Sequence, residues 1–208
     1  MAIPNQKKSR IVAYFVRHGT TDLNKKGRFR GPLDPPLDDK GLNDAKQLAA
    51  YFQPIQLGDA WTSDKQRAET TAETILDPKN MVASPTSDLR AWNVGYLGGE
   101  IKADHQDDIS YFQRNPDVAI PGGESLHAFR ARVRPPILNA IHRGVETGIP
   151  SIVVAHSSII HELGNLIHGD HTKGLVRPGG VTGVSFDGKY FKTIPLVGGN
   201  GHGEGYGS

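Results

Sequence analysis

The stretch Ile11-Val12-Ala13-Tyr14-Phe15-Val16, which runs straight into Arg17-His18-Gly19-Thr20-Thr21, decides the fold. Six apolar residues in a row suit a strand buried on both faces of a parallel sheet. A second stretch has the same form: Ser151-Ile152-Val153-Val154-Ala155 leads into His156-Ser157. Between and after them the pattern changes period. Leu42, Ala45, Leu48, Ala49 and Phe52 have helical spacing within Gly41 to Phe52. A short strand is expected at Asp59 to Thr62, and helices at Ser63 to Leu76 and Ser158 to Ile167. Leu126, Phe129, Val133, Ile137 and Ile141 predict a helix from Leu126 to His142, kinked or split at Pro135-Pro136. Asp187-Gly188 is a hairpin signal between Val181 to Phe186 and Lys189 to Ile194. Strands alternating with helices predict a three-layer α/β/α sandwich around a mostly parallel sheet.

The chain has 208 residues, enough for one domain. It has no cysteine, so disulfides, thiolate metal sites and cysteine nucleophiles are excluded. A net charge of +2 is too small to argue for nucleic acid. No apolar run approaches a membrane span, and residues 1–10 lack an apolar signal core. A cytoplasmic protein with no membrane or nucleic-acid partner is expected, and a homodimer is left open. Glycine, at 25, and proline, at 14, are in excess. The domain is read as residues 1–197. An irregular insertion at about 91–123 lies over the strand ends, with aromatics suited to reading a substrate or to packing as a lid. A Gly-rich tail at 198–208 is expected to be flexible.

The chemistry lies at strand ends, where α/β sheets place their ligands. His18 and His156 each follow a buried strand, so both reach one edge of the sheet. Arg17 stands beside His18, and Arg67 lies early in the helix after the strand at Asp59. Two arginines and two histidines at one edge form an anion pocket containing a nucleophile. Such a pocket suits phosphoryl transfer through a phosphohistidine, with the arginines neutralising the equatorial oxygens.

The motifs Arg17-His18-Gly19-x-Thr21-x-x-Asn24, Arg28-Phe29-Arg30-Gly31, Asp34-x-Pro36-Leu37, Ser63-x-x-x-Arg67-Ala68, Pro121-Gly122-Gly123-Glu124-Ser125 and Ala155-His156-Ser157 occur in this order. Together they resemble the histidine phosphatase (phosphoglycerate mutase-like) superfamily, branch 1. The resemblance spans Ile11 to Phe186. No Arg-x-Pro follows Arg17-His18-Gly19 and no Asp follows His156, unlike the acid phosphatase branch. The resemblance implies His18 as the phosphorylated nucleophile, with Arg17, Arg67 and His156 holding the phosphoryl group. It also implies that Asn24 lines the pocket, with Thr20, Thr21 and Ser157 near the substrate. No cofactor or metal is implied, and the expected partner is a small phosphorylated substrate.

One departure stands out. The proton donor implied by the resemblance is a Glu in a Leu-x-Glu segment, but here the segment reads Leu89-Arg90-Ala91. Glu124 is the first substitute considered, with Glu100 and Asp22 behind it. Otherwise the substrate carries a good leaving group that needs little protonation, or the chain binds phosphate without efficient turnover. Thr20 also replaces the Glu that mutases carry after Arg-His-Gly. The expected activity is therefore a metal-independent phosphomonoester phosphatase. An impaired binding module or a mutase are the alternatives. The remaining charged features are read as structural: His161, His168 and His171 do not form a metal motif, and Arg130, Arg132, Arg134 and Arg143 form a solvated helix face.

Overall fold

A computed structural model describes residues 9–199. Its elements run β1 (Arg10–Arg17), α1 (Asp22–Lys25), α2 (Asp39–Phe52), β2 (Ala60–Ser63), α3 (Gln66–Leu76), β3 (Ser84–Thr86), α4 (Gln106–Arg114), α5 (Leu126–Thr147), β4 (Ser151–Ala155), α6 (Ser157–His168), β5 (Val176–Phe186) and β6 (Phe191–Gly199). The six strands form one sheet in the order β3-β2-β4-β1-β5-β6. The first four are mutually parallel, while β5 and β6 are antiparallel at one edge. The fold is the expected mixed α/β sandwich.

Each central strand buries both faces, which is why β1 and β4 read as unbroken apolar runs. Tyr14, Val16, Ile152 and Val154 pack on α2 and α3 through Leu48, Phe52, Ile75 and Leu76. Ala13, Phe15, Val153 and Ala155 pack on α5 and α6 through Phe129, Val133, Ile159 and Leu163. Val12 joins the same face as Ala13, because the register against β5 slips between Ile11 and Ala13. At Gly144 the backbone of α5 presses on β1: an added Cβ would lie 1.7 Å from the Val12 carbonyl oxygen. That close approach needs glycine despite its helix penalty.

Several expectations need correction. The helix α5 is not split at Pro135-Pro136 but runs on to Thr147, closed by Gly148 at φ 77°. The two prolines remove only the bonds to the carbonyls of Ala131 and Arg132. Packing holds the helix on both sides of that gap, with Val133 and Ile137 fully buried. Arg130 and Arg134, one on each side of the gap's first carbonyl, both donate to the buried Glu162 carboxylate, at 3.1 and 2.7 Å. The four arginines of this helix are partly exposed and all ion-paired: Arg132 pairs with Glu124, and Arg143 with Asp59 and Glu146.

The segment 91–123 is less irregular than its composition suggests. It contains α4 and two 3₁₀ turns, Gly95–Leu97 and Lys102–His105. Trp92, Val94, Leu97, Ile109, Phe112 and Ile120 join the α5–α6 core, so this stretch is built into the domain. The Asp187-Gly188 turn is present, with the Asp187 carboxylate accepting from the backbone N–H of Lys189 and Tyr190. The strands it joins are longer than expected, and Gly198 and Gly199 belong to β6 rather than to a tail. The rest of the expected tail, residues 200–208, lies outside the described residues, as do residues 1–8. No helix among the described residues is long and apolar enough to cross a membrane.

Candidate active site

The parallel pairing of β1 with β4 places the two histidines side by side. Arg17 is in register with Ala155, so His18 and His156 leave the sheet as neighbours. Their ring centroids are 5.2 Å apart. His18 is fixed on both flanks. Its N–H donates to the Ala155 carbonyl at 3.0 Å, and its carbonyl accepts from Gly179 of β5 at 3.0 Å. Gly19 follows because nothing larger fits: an added Cβ would lie 2.4 Å from the Gly41 carbonyl oxygen of α2.

The His18 ring has one defined proton. Nδ1 lies 2.7 Å from the Gly19 carbonyl oxygen. A carbonyl only accepts, so Nδ1 carries the hydrogen and Nε2 carries the lone pair. Nε2 is buried and has no hydrogen-bond partner. Burial, followed by the charges of Arg67, Arg30, His156 and Arg17, holds this imidazole well below its usual value. The ring is neutral at physiological pH, the form that can attack phosphorus.

His156 occupies the N-cap position of α6, with its Nε2 2.9 Å from the Ser63 hydroxyl at the end of β2. Its Nδ1 is buried without a partner. Burial and the charges of Arg67, Arg30, Lys65 and Arg17 hold it low as well. Arg67, on α3, is fully buried. One of its nitrogens donates to the Leu33 carbonyl at 3.0 Å and to the Asp34 carboxylate at 3.2 Å. Its Nε and second terminal nitrogen are buried without partners. Burial pulls its pKa to about 10, so it remains a cation. Arg17 is buried and donates to the Val176 carbonyl at 3.2 Å. Four buried polar atoms on His18, His156 and Arg67 thus lack partners, which is unusual away from a ligand site.

The other expected site residues divide. Asn24 forms a capping box with Thr21, and its side-chain nitrogen remains buried without a partner. Thr21 uses its hydroxyl in that box. Thr20 is turned to α2, where its hydroxyl donates to Asp44 at 2.9 Å. Ser157 is buried in the first turn of α6. Glu124 works as an acceptor. It receives the Asn93 N–H at 2.9 Å and both Nε and a terminal nitrogen of Arg132. Both of its oxygens are occupied by these donors, so the geometry argues against Glu124 as the acid. It instead clamps the Ala91–Asn93 turn. Glu100 and Asp22 are exposed. His161 Nδ1 donates to the His171 carbonyl at 2.9 Å, and no metal cluster occurs among the described residues.

One residue escaped the sequence reading. Arg30 is 3% exposed, and after Arg67 it is the largest charge acting on both histidines. It stood inside the Arg28-Phe29-Arg30-Gly31 motif without a role. The signal was a second arginine beside a buried aromatic, Phe29, whose backbone is bonded to Gly99 and Glu100.

The two depressed imidazoles predict a pH dependence of stability. The unfolded histidines bind protons below about 6.5, while the folded ones do not. The folded state is therefore undercut as pH falls below that value, by up to about 1.4 kcal/mol per pH unit for each ring. Denaturant melts from pH 8 to pH 5 should show a steep loss below about pH 6.5. The loss should be shallower in His18→Asn, and a slope unaffected by that substitution would contradict this assignment.

A comparison with family models matches residues 13–193 to the histidine phosphatase superfamily (branch 1). A 2,3-bisphosphoglycerate-dependent phosphoglycerate mutase of a Bradyrhizobium species is 32% identical over 186 residues, 85% of this chain and 90% of the relative. Among solved structures, a mycobacterial glucosyl-3-phosphoglycerate phosphatase in complex with VO3 superposes with a TM-score of 0.72. That match has 26% identity and covers 89% of this chain and 96% of the other. A phosphoglycerate mutase from Bacillus anthracis, 22% identical, shares the fold with a TM-score of 0.76 over 92% of this chain and 94% of its own.

Proposed function

Because the chain belongs to the histidine phosphatase superfamily, branch 1, we propose that it hydrolyses phosphate monoesters through a phosphohistidine at His18, without a metal ion. The observation that carries this is the His18 ring itself: Nδ1 is tied to the Gly19 carbonyl, and the lone pair is left on a buried Nε2. Nε2 forms the N–P bond as the P–O ester bond breaks, and the electron pair leaves with the ester oxygen. Arg67, Arg17 and Arg30 neutralise the phosphoryl oxygens, and His156 adds a hydrogen bond. Water then attacks the phosphorus and the N–P bond breaks. Phosphate departs, and the proton given up by water restores the balance on the ring or on the product. The substrate on this reading is a small phosphorylated molecule met in the cytoplasm.

A mutase reading is favoured by one observation, the names of relatives such as the Bradyrhizobium protein. The two separate in one experiment. The protein, held in excess chelator, is given p-nitrophenyl phosphate and, separately, 3-phosphoglycerate with 2,3-bisphosphoglycerate. The expected result is chelator-insensitive release of phosphate from the aryl ester and no isomerisation. Isomerisation faster than hydrolysis would overturn the hydrolase reading. Absence of any turnover, with phosphate still bound, would leave a binding module.

A further inference from the structure

The site is rich in cations and poor in proton donors. Arg17, Arg30 and Arg67 are 2%, 3% and 0% exposed, an unusual density of buried positive charge. After burial, every major influence on the two histidines comes from a cation or the other imidazole. The carboxylates around the site are already engaged as acceptors. Asp34 takes Arg67 and the Gln66 N–H, Asp64 takes Arg90, and Glu124 takes Arg132 and Asn93.

A cavity of about 270 Å³ is lined in part by Gly31, Lys65, Arg90, Ala91, Glu124 and Arg132. It adjoins the site through Gly31, next to Arg30, and through Lys65, whose charge acts on His156. Asp64 and Glu124 compensate Arg90 and Arg132. Lys65 is different. Its ammonium donates to the Pro32 carbonyl at 3.1 Å and forms no ion pair among the described residues. The cavity therefore carries net positive charge next to a phosphoryl site that already holds three arginines.

Resting on the phosphohistidine reading, we infer that the preferred donors are phosphoanhydrides, such as inorganic pyrophosphate or a nucleoside diphosphate. The terminal phosphoryl group sits on Arg17, Arg30 and Arg67, and the departing phosphate sits in the cavity against Lys65. His18 Nε2 forms the bond to the terminal phosphorus as the bridging P–O bond breaks. The electron pair goes to the bridging oxygen, which leaves as part of a phosphate anion. That oxygen needs no donated proton, because the conjugate acid of a phosphate has a pKa of about 6. An alkoxide, whose parent acid is about as weak as water at ~15.7, does need one. Water then attacks the phosphorus of phospho-His18, the N–P bond breaks with its electron pair returning to Nε2, and the phosphate leaves with the proton that water gave up. Both peculiarities of the site follow from one substrate class: extra cations meet extra anionic charge, and an acidic leaving group does without a general acid.

The test compares kcat/KM, in excess chelator, for pyrophosphate, ADP, p-nitrophenyl phosphate and glycerol phosphate. Expected is at least ~10²-fold preference for an anhydride over the alkyl ester, the scale of a general-acid contribution. A preference for pyrophosphate would mean that phosphate alone fills the cavity, and a preference for ADP that the nucleoside also makes contact. Either supports the inference. Lys65→Met should lower the ratio of anhydride to aryl-ester kcat/KM by about tenfold or more, and Lys65→Arg should restore it. Thermal melts check that both variants fold. Aryl-ester turnover with slow anhydride turnover, or alkyl and anhydride rates that match, would overturn the inference and leave the phosphohistidine reading intact. No turnover of any donor would remove both.

Discussion

His18→Ala is expected to abolish turnover of every phosphate donor, lowering kcat by about 10⁵- to 10⁶-fold, the scale seen when a covalent nucleophile is deleted. The size of the effect follows from the geometry. The lone pair on His18 Nε2 is buried without a partner, and the carbonyl of Gly19 keeps it there by holding the proton on Nδ1. His156 lacks such a lock: its Nε2 lies 2.9 Å from the Ser63 hydroxyl, which can donate or accept, so no carbonyl reserves a lone pair on its Nδ1. The fold should survive, since the backbone bonds that hold position 18 to Ala155 and Gly179 do not involve the ring. Removing a buried group of low proton affinity also relieves part of the fold's acid sensitivity. Phosphate affinity should persist, because Arg17, Arg30 and Arg67 remain. Activity within tenfold of wild type in a well-folded His18→Ala protein would contradict the assignment.

Ala91→Glu is expected to raise turnover of alkyl phosphates by about 10²- to 10⁴-fold, the usual contribution of a general acid. Ala91 lines the same cavity as Lys65 and Gly31. A carboxyl group there would supply the proton that an alkoxide leaving group needs. Aryl esters, whose leaving groups are already acidic, should gain far less. The same substitution adds negative charge opposite Lys65, so anhydride turnover should fall. Rates for alkyl and aryl esters on wild type and variant measure both effects. An alkyl-ester rate unchanged by Ala91→Glu, in a folded protein, would mean that position 91 is not where the leaving group departs.

The fold was legible where burial is complete on both faces. Ile11 to Val16 and Ser151 to Ala155 read as buried strands and are central strands, while the register of Arg17 with Ala155 came from the structure. Arg17, His18 and His156 were legible because each stands at the end of such a strand, and Arg67 because it lies early in the helix after β2; parallel strands bring these ends to one edge. What the sequence hid depends on contacts between distant segments. Helix α5 passes through Pro135-Pro136 because Glu162, far along the chain, holds Arg130 and Arg134 across the gap. Glu124 looked like a free acid, but Arg132, eight residues later in α5, claims it. Arg30 had no periodicity to mark it, and its importance comes from its burial and its charge acting on both histidines, which no local pattern encodes. The β6 strand reached through Gly198 and Gly199 because pairing with β5 offsets what glycine costs in a strand.

The most direct test of the account is to trap the covalent intermediate. Chelator-treated protein is mixed with a labelled phosphate donor and quenched within one turnover, once in alkali and once in acid. The expected result is a near-stoichiometric adduct that survives alkali, is lost in acid, maps to the peptide containing His18 and is absent from His18→Ala. Continued turnover with no adduct on His18, or with the label on another residue, would contradict it.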